Sequence, residues 1–182
     1  LRSIDSATLA TDTAQIDLGV ADARALAVAA DGSIAVGGAR DGGASGRDGF
    51  VTRLSASLTG TSTSAIATTG TDEVDSLAFL NGALYAGGRT TGALSGTTKT
   101  GATDGFVIAL DAASGAQLSV RQFGRVAEQT GAVRIAAAPH GASVLGAMGL
   151  ASGNITPQDS ALLTTHTSLR AGDSFSVRLN EG

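Results

Sequence analysis

Asp104-Gly105-Phe106-Val107-Ile108-Ala109-Leu110 nearly repeats Asp48-Gly49-Phe50-Val51-Thr52-Arg53-Leu54, and a fainter copy follows in Asp159-Ser160-Ala161-Leu162-Leu163. The copies begin 56 and then 55 residues apart (48, 104, 159). A fixed period of that length, carrying several short strand-like runs, marks a repeated supersecondary unit. Within the heptapeptide Phe106, Ile108 and Leu110 fall on one face of a strand, with Val107 and Ala109 on the other. Both faces are apolar, so an interior strand covered on two sides is expected.

Upstream of each heptapeptide lies a pair of shorter runs. Ala23 to Ala30 has helical propensity, but Asp31-Gly32 follows at once and leads into Ser33-Ile34-Ala35-Val36-Gly37-Gly38. Two strands joined by a tight turn fit this better, because Asx-Gly supplies positive φ at low cost. The second unit repeats the plan with Val74 to Phe79, Asn81-Gly82 and Ala83-Leu84-Tyr85-Ala86-Gly87-Gly88. The third offers Val133 to Ala137, a turn at His140-Gly141, and Ala142 to Ala147. Downstream, Thr63 to Ala67 and Gln117 to Phe123 read as closing strands that stop at Gly70 and Gly124.

The expected fold is therefore all-β, with three four-stranded antiparallel sheet repeats of about 55 residues stacked in a β-propeller-like manner. Three units suit either a partial ring or a very small closed propeller or prism. The expected limits are a lead-in segment over 1–13, repeats over about 14–70, 71–124 and 125–166, and a final segment over 167–182. Ala14-Gln15-Ile16-Asp17-Leu18 alternates apolar and polar as a half-buried strand of the first unit. In the final segment, Phe175, Val177 and Leu179 alternate with Ser176 and Arg178, either as the exit strand of the third repeat or as the start of a following domain.

Composition narrows the functions. The 182 residues suffice for a sizeable core, but only 3% are aromatic, there is no Trp, and 26 are glycine, so strands and turns are favoured over long helices. Net charge is −4, which leaves no basic face for nucleic acid. With no cysteine, disulfides, thiolate metal sites and a Cys nucleophile are excluded. No apolar run of about 18 residues could cross a membrane as a helix. The first residues show neither an initiator Met nor a secretion pattern, so the chain is expected to be a piece of a longer protein, with any export signal or anchor outside it.

Candidate chemistry is sparse. Asp48, Asp104 and Asp159 stand before the same strand in each unit. They could hold a cation, although Asp-Gly at such a place more commonly satisfies local backbone N–H groups. Gly42-Gly43-Ala44-Ser45-Gly46-Arg47-Asp48-Gly49-Phe50 approximates a calcium-binding nonapeptide with one residue too many and no tandem copy. Asp72, Glu73 and Asp75 are the kind of clustered carboxylates that glycosidases use, with Phe79 and Tyr85 as the nearest aromatic side chains. His140 and His166 lack a nucleophile elbow, so a Ser/His/Asp hydrolase has no sequence signal. Gly37-Gly38 and Gly87-Gly88 open no helix and indicate no nucleotide site; they are read as places where strands approach closely. The expectation is no catalytic residue, no cofactor and no enzyme, with Asp48, Gly49, Phe50, Leu54, Gly87, Gly88, Asp104, Gly105, Phe106, Leu110 and Asp159 serving as structural repeat positions.

Taken together, these elements over Leu26 to Leu54, Leu77 to Leu110 and, with weaker matches, Ile135 to Leu163 resemble the bacterial SBBP-type β-propeller repeat. The third unit departs from it, with Ser160 and Ala161 in place of Gly and Phe and Pro139-His140 near the turn. The run Ala171 to Val177 more weakly resembles flagellum-associated regulatory proteins of the FlaEY type, in which such repeats interrupt flagellin-like segments. The resemblance implies a non-enzymatic module of an exported bacterial protein, extracellular or at the cell surface or flagellum. Its partners would then be the rest of the parent chain or flagellar or surface subunits. A calcium-dependent or carbohydrate-binding or carbohydrate-acting propeller is the alternative.

Overall fold

The computed structural model describes residues 1–4, 7–8, 11–19, 21–59, 62–124, 133–137, 144–151, 156–157 and 173–180. A short ribbon comes first, β1 (Arg2–Ile4) and β2 (Thr11–Gln15), paired antiparallel. Four strands follow in order, β3 (Ala21–Val28), β4 (Ile34–Asp41), β5 (Arg47–Leu54) and β6 (Ser62–Ile66), and each pairs antiparallel with the next. The same meander is built again from β7 (Asp72–Leu80), β8 (Ala83–Thr90), β9 (Asp104–Asp111) and β10 (Gln117–Gly124). Then come β11 (Arg134–Ala137), β12 (Val144–Ala151), the two-residue β13 (Thr156–Pro157) and β14 (Asp173–Asn180). β13 extends the edge of the second sheet at β10, and β11, β12 and β14 form a separate sheet in that order. Among the described residues there is no α-helix, only a single 3-10 turn at Gly43–Ser45.

The two four-stranded sheets agree in register. Phe50 lies opposite Gly38 and Phe106 opposite Gly88, and both inner hairpins carry a bulge at the same place, at Arg24 and at Asp75. The bulge accounts for the Gly-Gly pairs. A Cβ on Gly38 would stand 1.9 Å from the Asp22 carbonyl oxygen, and one on Gly88 2.0 Å from that of Glu73, so the bulged strand turns its backbone into the second glycine. The first glycine meets the neighbouring sheet instead: a Cβ on Gly37 would sit 2.7 Å from Val74, and one on Gly87 3.0 Å from Ile135.

Alternation along the strands sends side chains to two separate cores. Phe106, Ile108, Leu110, Leu84 and Leu77 pack with Ala35, Val51 and Ile66 of the first sheet. On the opposite face, Val107, Ala109, Tyr85 and Phe123 pack with Val133 and Ile135. The second sheet is thus covered on both sides, as the two-faced apolar pattern of β9 predicts. The outer face of the first sheet has a third, smaller core of Val36, Leu54 and Leu58, against which Leu1, Ile16 and Leu18 lie.

One turn is as the sequence predicts, and three details differ from it. Asn81 and Gly82, with φ of 49° and 77°, make the expected two-residue turn between Leu80 and Ala83. At Asp31-Gly32 only Gly32 is left-handed, and bonds from Ala29 N to Ser33 O (2.8 Å) and from Gly32 N to Ala29 O (3.0 Å) close a wider loop. The strand read at Ala14–Leu18 begins earlier, at Thr11, and pairs with β1 instead of joining the first sheet. Finally, Phe175 of β14 lies opposite Gly149 of β12, the register place that Phe50 and Phe106 hold in their sheets. Asp159, Ser160 and Ala161 fall outside the described residues.

Candidate functional site

Asp104 stands at the first residue of β9 and is fully buried. Its carboxylate accepts hydrogen bonds from Thr100 N (2.7 Å), Gly101 N (2.6 Å) and Gln122 Nε2 (2.8 Å). Gln122, buried in β10, uses its whole amide: Nε2 also donates to Gly92 O at 2.9 Å, while Oε1 accepts from Leu94 N (2.9 Å) and Thr97 Oγ1 (2.6 Å). The pair therefore clamps both ends of the long loop between β8 and β9. Neither side chain is left with bonding capacity turned toward solvent. Replacing Gln122 with leucine should cost about 2–3 kcal/mol, since the Leu94 N–H loses its partner and the Asp104 carboxylate one of its three in a buried place. Proteolysis should then cut residues 91–103 well before the sheets unfold, and an intact loop in the Leu variant would refute the clamp.

Asp48 is the register counterpart of Asp104, but its setting differs. The residue opposite Phe50 in β6 is Ala65, where the second sheet has Gln122 opposite Phe106. Asp48 has no such amide across from it, and its Oδ1 is buried with no hydrogen-bond partner. Asp72, at the head of β7, accepts from Thr68 N at 2.7 Å and Thr68 Oγ1 at 2.9 Å. Burial raises its carboxyl above the usual range, and the nearby Asp48 charge adds to this.

Glu73 and Asp75 enter a network of charges where the first sheet meets the second. Arg24 Nη1 donates to Glu73 Oε2 at 2.6 Å and lies 3.4 Å from Asp75 Oδ1, while its Nε reaches Asp22 Oδ2 at 2.9 Å. Arg89 clasps Glu73 through Nε at 2.6 Å, and Arg47 Nη2 reaches Asp22 at 3.1 Å. From β11, Arg134 Nη1 donates to the Asp75 carbonyl oxygen. Burial works to raise the Glu73 carboxyl, yet hydrogen bonds from Arg89 and Arg24 outweigh it and hold the group below its ordinary value. Burial prevails at Asp75, whose carboxyl is raised although Arg89 and Arg24 oppose this. Three carboxylates (Asp22, Glu73 and Asp75) and four guanidiniums (Arg24, Arg47, Arg89 and Arg134) meet here and bond one sheet to the next, although Asp75 Oδ2 is buried without a hydrogen-bond partner.

These shifts fix a sign. Asp72, with its folded-state pKa raised, binds its proton more tightly in the folded than in the unfolded chain, so its ionisation weakens the fold as pH rises from its unfolded value of 3.8 through the folded one. Glu73 acts oppositely and contributes stability that is lost as pH falls from its unfolded value of 4.5 through the depressed folded one. Asp72→Asn should therefore gain on the unmodified protein in thermal melts between pH 4 and pH 7. A difference in Tm that is constant across this range would show that Asp72 is not strained by its charge.

The remaining candidates do not converge. Tyr85 is buried in the core facing β11 and Phe79 packs toward the first sheet, so neither offers a ring face beside Asp72, Glu73 and Asp75 on which a sugar could stack. Gly42 to Gly46 closes a hairpin loop through Gly42 N to Gly46 O (2.8 Å), whereas a calcium roll needs consecutive turns that share each ion. Gly49, Leu54, Gly105 and Leu110 are buried strand positions beside Phe50 and Phe106. At the hairpin end a cleft of about 660 Å³ is lined by Asp31, Arg53, Phe79, Asn81 and Asp111. Its guanidinium is already engaged, donating to Asp111 O at 3.0 Å and to Ser62 Oγ, which ties the first sheet to the second. Among the described residues no group of three or more His, Asp or Glu side chains is placed to hold a metal ion, and no helix is long and apolar enough to cross a membrane. His140 and His166 lie outside the described residues. No local pattern marks the Arg24 bridge, and the one signal for the Gln122 clamp is a polar residue in line with Leu118 and Val120 on one face of β10.

Fold and site together define an all-β protein of successive four-stranded antiparallel sheets, whose buried polar groups are spent largely on loop clamps and sheet-to-sheet bridges. In a comparison with characterised proteins, the chain is 33% identical over 156 residues to the regulatory protein FlaEY of Caulobacter vibrioides. The match takes in 84% of this chain but spans only 16% of that relative. No protein-family profile matches the chain.

Proposed function

We propose that this chain is a non-enzymatic structural and interaction module of an exported bacterial protein, associated with the cell surface or flagellum. It presents variable Gly/Thr/Ser loops on a rigid β scaffold. In this reading β11, β12 and β14 form a third repeat beside the two four-stranded sheets, and the sheets are arranged as in an SBBP-type β-propeller, within a larger ring or as a small closed one. The observation that carries it is the common register of the inner hairpins, with β3 packed on β7 and β7 on β11. Ion pairs between the sheets and the Asp104–Gln122 loop clamp, both engaged in internal bonds, support a scaffold over an active site. The likeness to a regulatory protein supports protein partners, supplied by the parent chain or by flagellar or surface subunits.

Calorimetric titration with Ca²⁺ and a panel of glycans should give no binding heat. The second reading, a calcium-dependent or carbohydrate-binding or carbohydrate-acting propeller, is favoured by one observation, the unpartnered Asp48 Oδ1 near the Asp72 carboxyl. Micromolar binding abolished by Asp48→Asn would establish it in place of the first. For the location, fractionation of cells carrying the tagged parent protein should place it in the surface or flagellar fraction, and recovery from the cytoplasm alone would refute that.

A further inference from the structure

Leu26 and Val28 are 53% and 58% exposed although they sit in an ordered strand. Counting from the Gly-Gly pair on the adjoining strand, Leu26 occupies the place of Leu77, and Val28, opposite Ile34, that of Phe79, opposite Leu84. In the second sheet Leu77 is buried and Phe79 is half-buried. Leu77 and Phe79 pack toward the first sheet, whose β3 and β4 turn a row of small residues, Ala25, Ala27, Ala35 and Gly37, to that interface. Small residues are required there, because a Cβ on Gly37 would already stand 3.2 Å from Leu77 Cδ1.

The outer face of the first sheet has half of such a cover. Leu1, Ile16 and Leu18, flanking the β1–β2 ribbon, lie over Val36 and Leu54, and Ile16 and Leu18 line a small pocket with Phe50, Thr52 and Thr63. All of these partners belong to β4, β5 and β6. Among the described residues, Leu26 and Val28 of β3 are left bare, and β1 is paired only on the side of β2.

We propose that Leu26 and Val28 are the docking face for a β-hairpin of the β3–β4 kind, from another repeat unit, which presents Ala and Gly to them and pairs with the free edge of β1. The hairpin would complete the ribbon into a four-stranded sheet stacked on the first as the first is on the second. This deepens the propeller reading and rests on it. A second copy of this chain is the poorer occupant, because its β4, β8 and β12 are already paired on both sides, with β5, β9 and β14 on their far sides.

The chain contains no cysteine, so Leu26→Cys introduces a single thiol whose alkylation rate reports cover at this spot. In the 182-residue chain the thiol should react at nearly the rate of a free one. Joining a copy of residues 19–46 ahead of Leu1 should slow alkylation about tenfold or more and raise Tm by about 5 °C. The same extension with leucine at the positions copied from Ala35 and Gly37 should give no protection, since the bulky row cannot seat. Equal rates with and without the small-residue hairpin, at unchanged Tm, would overturn the proposal. So would protection in the unextended chain that grows with protein concentration, which would make a second copy the occupant. Either result leaves the packing of the first sheet on the second untouched; that packing is tested separately by Gly37→Leu, which should lower Tm whether or not the hairpin docks.

Discussion

Phe106→Ala should cost about 3–5 kcal/mol, read as a fall in the urea midpoint at unchanged slope, because a fully buried ring leaves a cavity that strands on both sides cannot close. Phe106 is wholly inaccessible at the interface of the two sheets, and its Cζ stands 2.6 Å from where a Cβ on Gly88 would be. Phe50, 2% exposed and opposite Gly38, should lose a similar amount on truncation. With about 5–15 kcal/mol holding a typical domain together, either change consumes a large share of its stability. Losses below about 1 kcal/mol at Phe106 would mean that the interface is not packed as described.

Gly88→Val should be nearly as damaging, for the opposite reason. The added side chain has no free volume: it meets the Glu73 carbonyl oxygen at 2.0 Å and the Phe106 ring. Overpacking ordinarily costs about 1–3 kcal/mol, and here the obstacle is backbone held by a bulge, so about 3 kcal/mol or more is expected. The control is Gly96→Ala. Gly96 has open space around its Cβ position and a φ of +77°, so only the cost of that left-handed backbone, about 1 kcal/mol, should be seen. Equal midpoints for the two variants would show that the bulge yields, and the steric explanation of the Gly-Gly pair would fail.

Much of the fold was legible in short windows. Two-faced apolar alternation marked β9 as an interior strand, and the Asn81-Gly82 turn set the register of its hairpin, because these signals depend on neighbours two residues away. The third sheet was harder to read. A search by fixed period led to Asp159, whereas the strand that pairs with β12 begins at Asp173, 69 residues after Asp104. Asp173, Phe175, Arg178 and Leu179 match Asp48, Phe50, Arg53 and Leu54 in spacing, but a longer connection displaces them from the period, and loop length is only weakly constrained energetically.

The acidic candidates divide along the same line. Residue types and spacing alone made Asp48 and Asp104 equivalent, and their backbone register is indeed the same. Asp104 is held by Gln122 on the next strand together with the Thr100 and Gly101 N–H groups, whereas Asp48 faces Ala65 there and keeps one buried oxygen without a hydrogen bond, a difference that no local pattern encodes. Local alternation and turn chemistry were thus enough for the strands and their order within each sheet, because they act through the nearest backbone. Which face covers which, and which buried charge finds a partner, follows from how whole sheets stack, where contacts join residues some 50 apart such as Arg24 and Glu73.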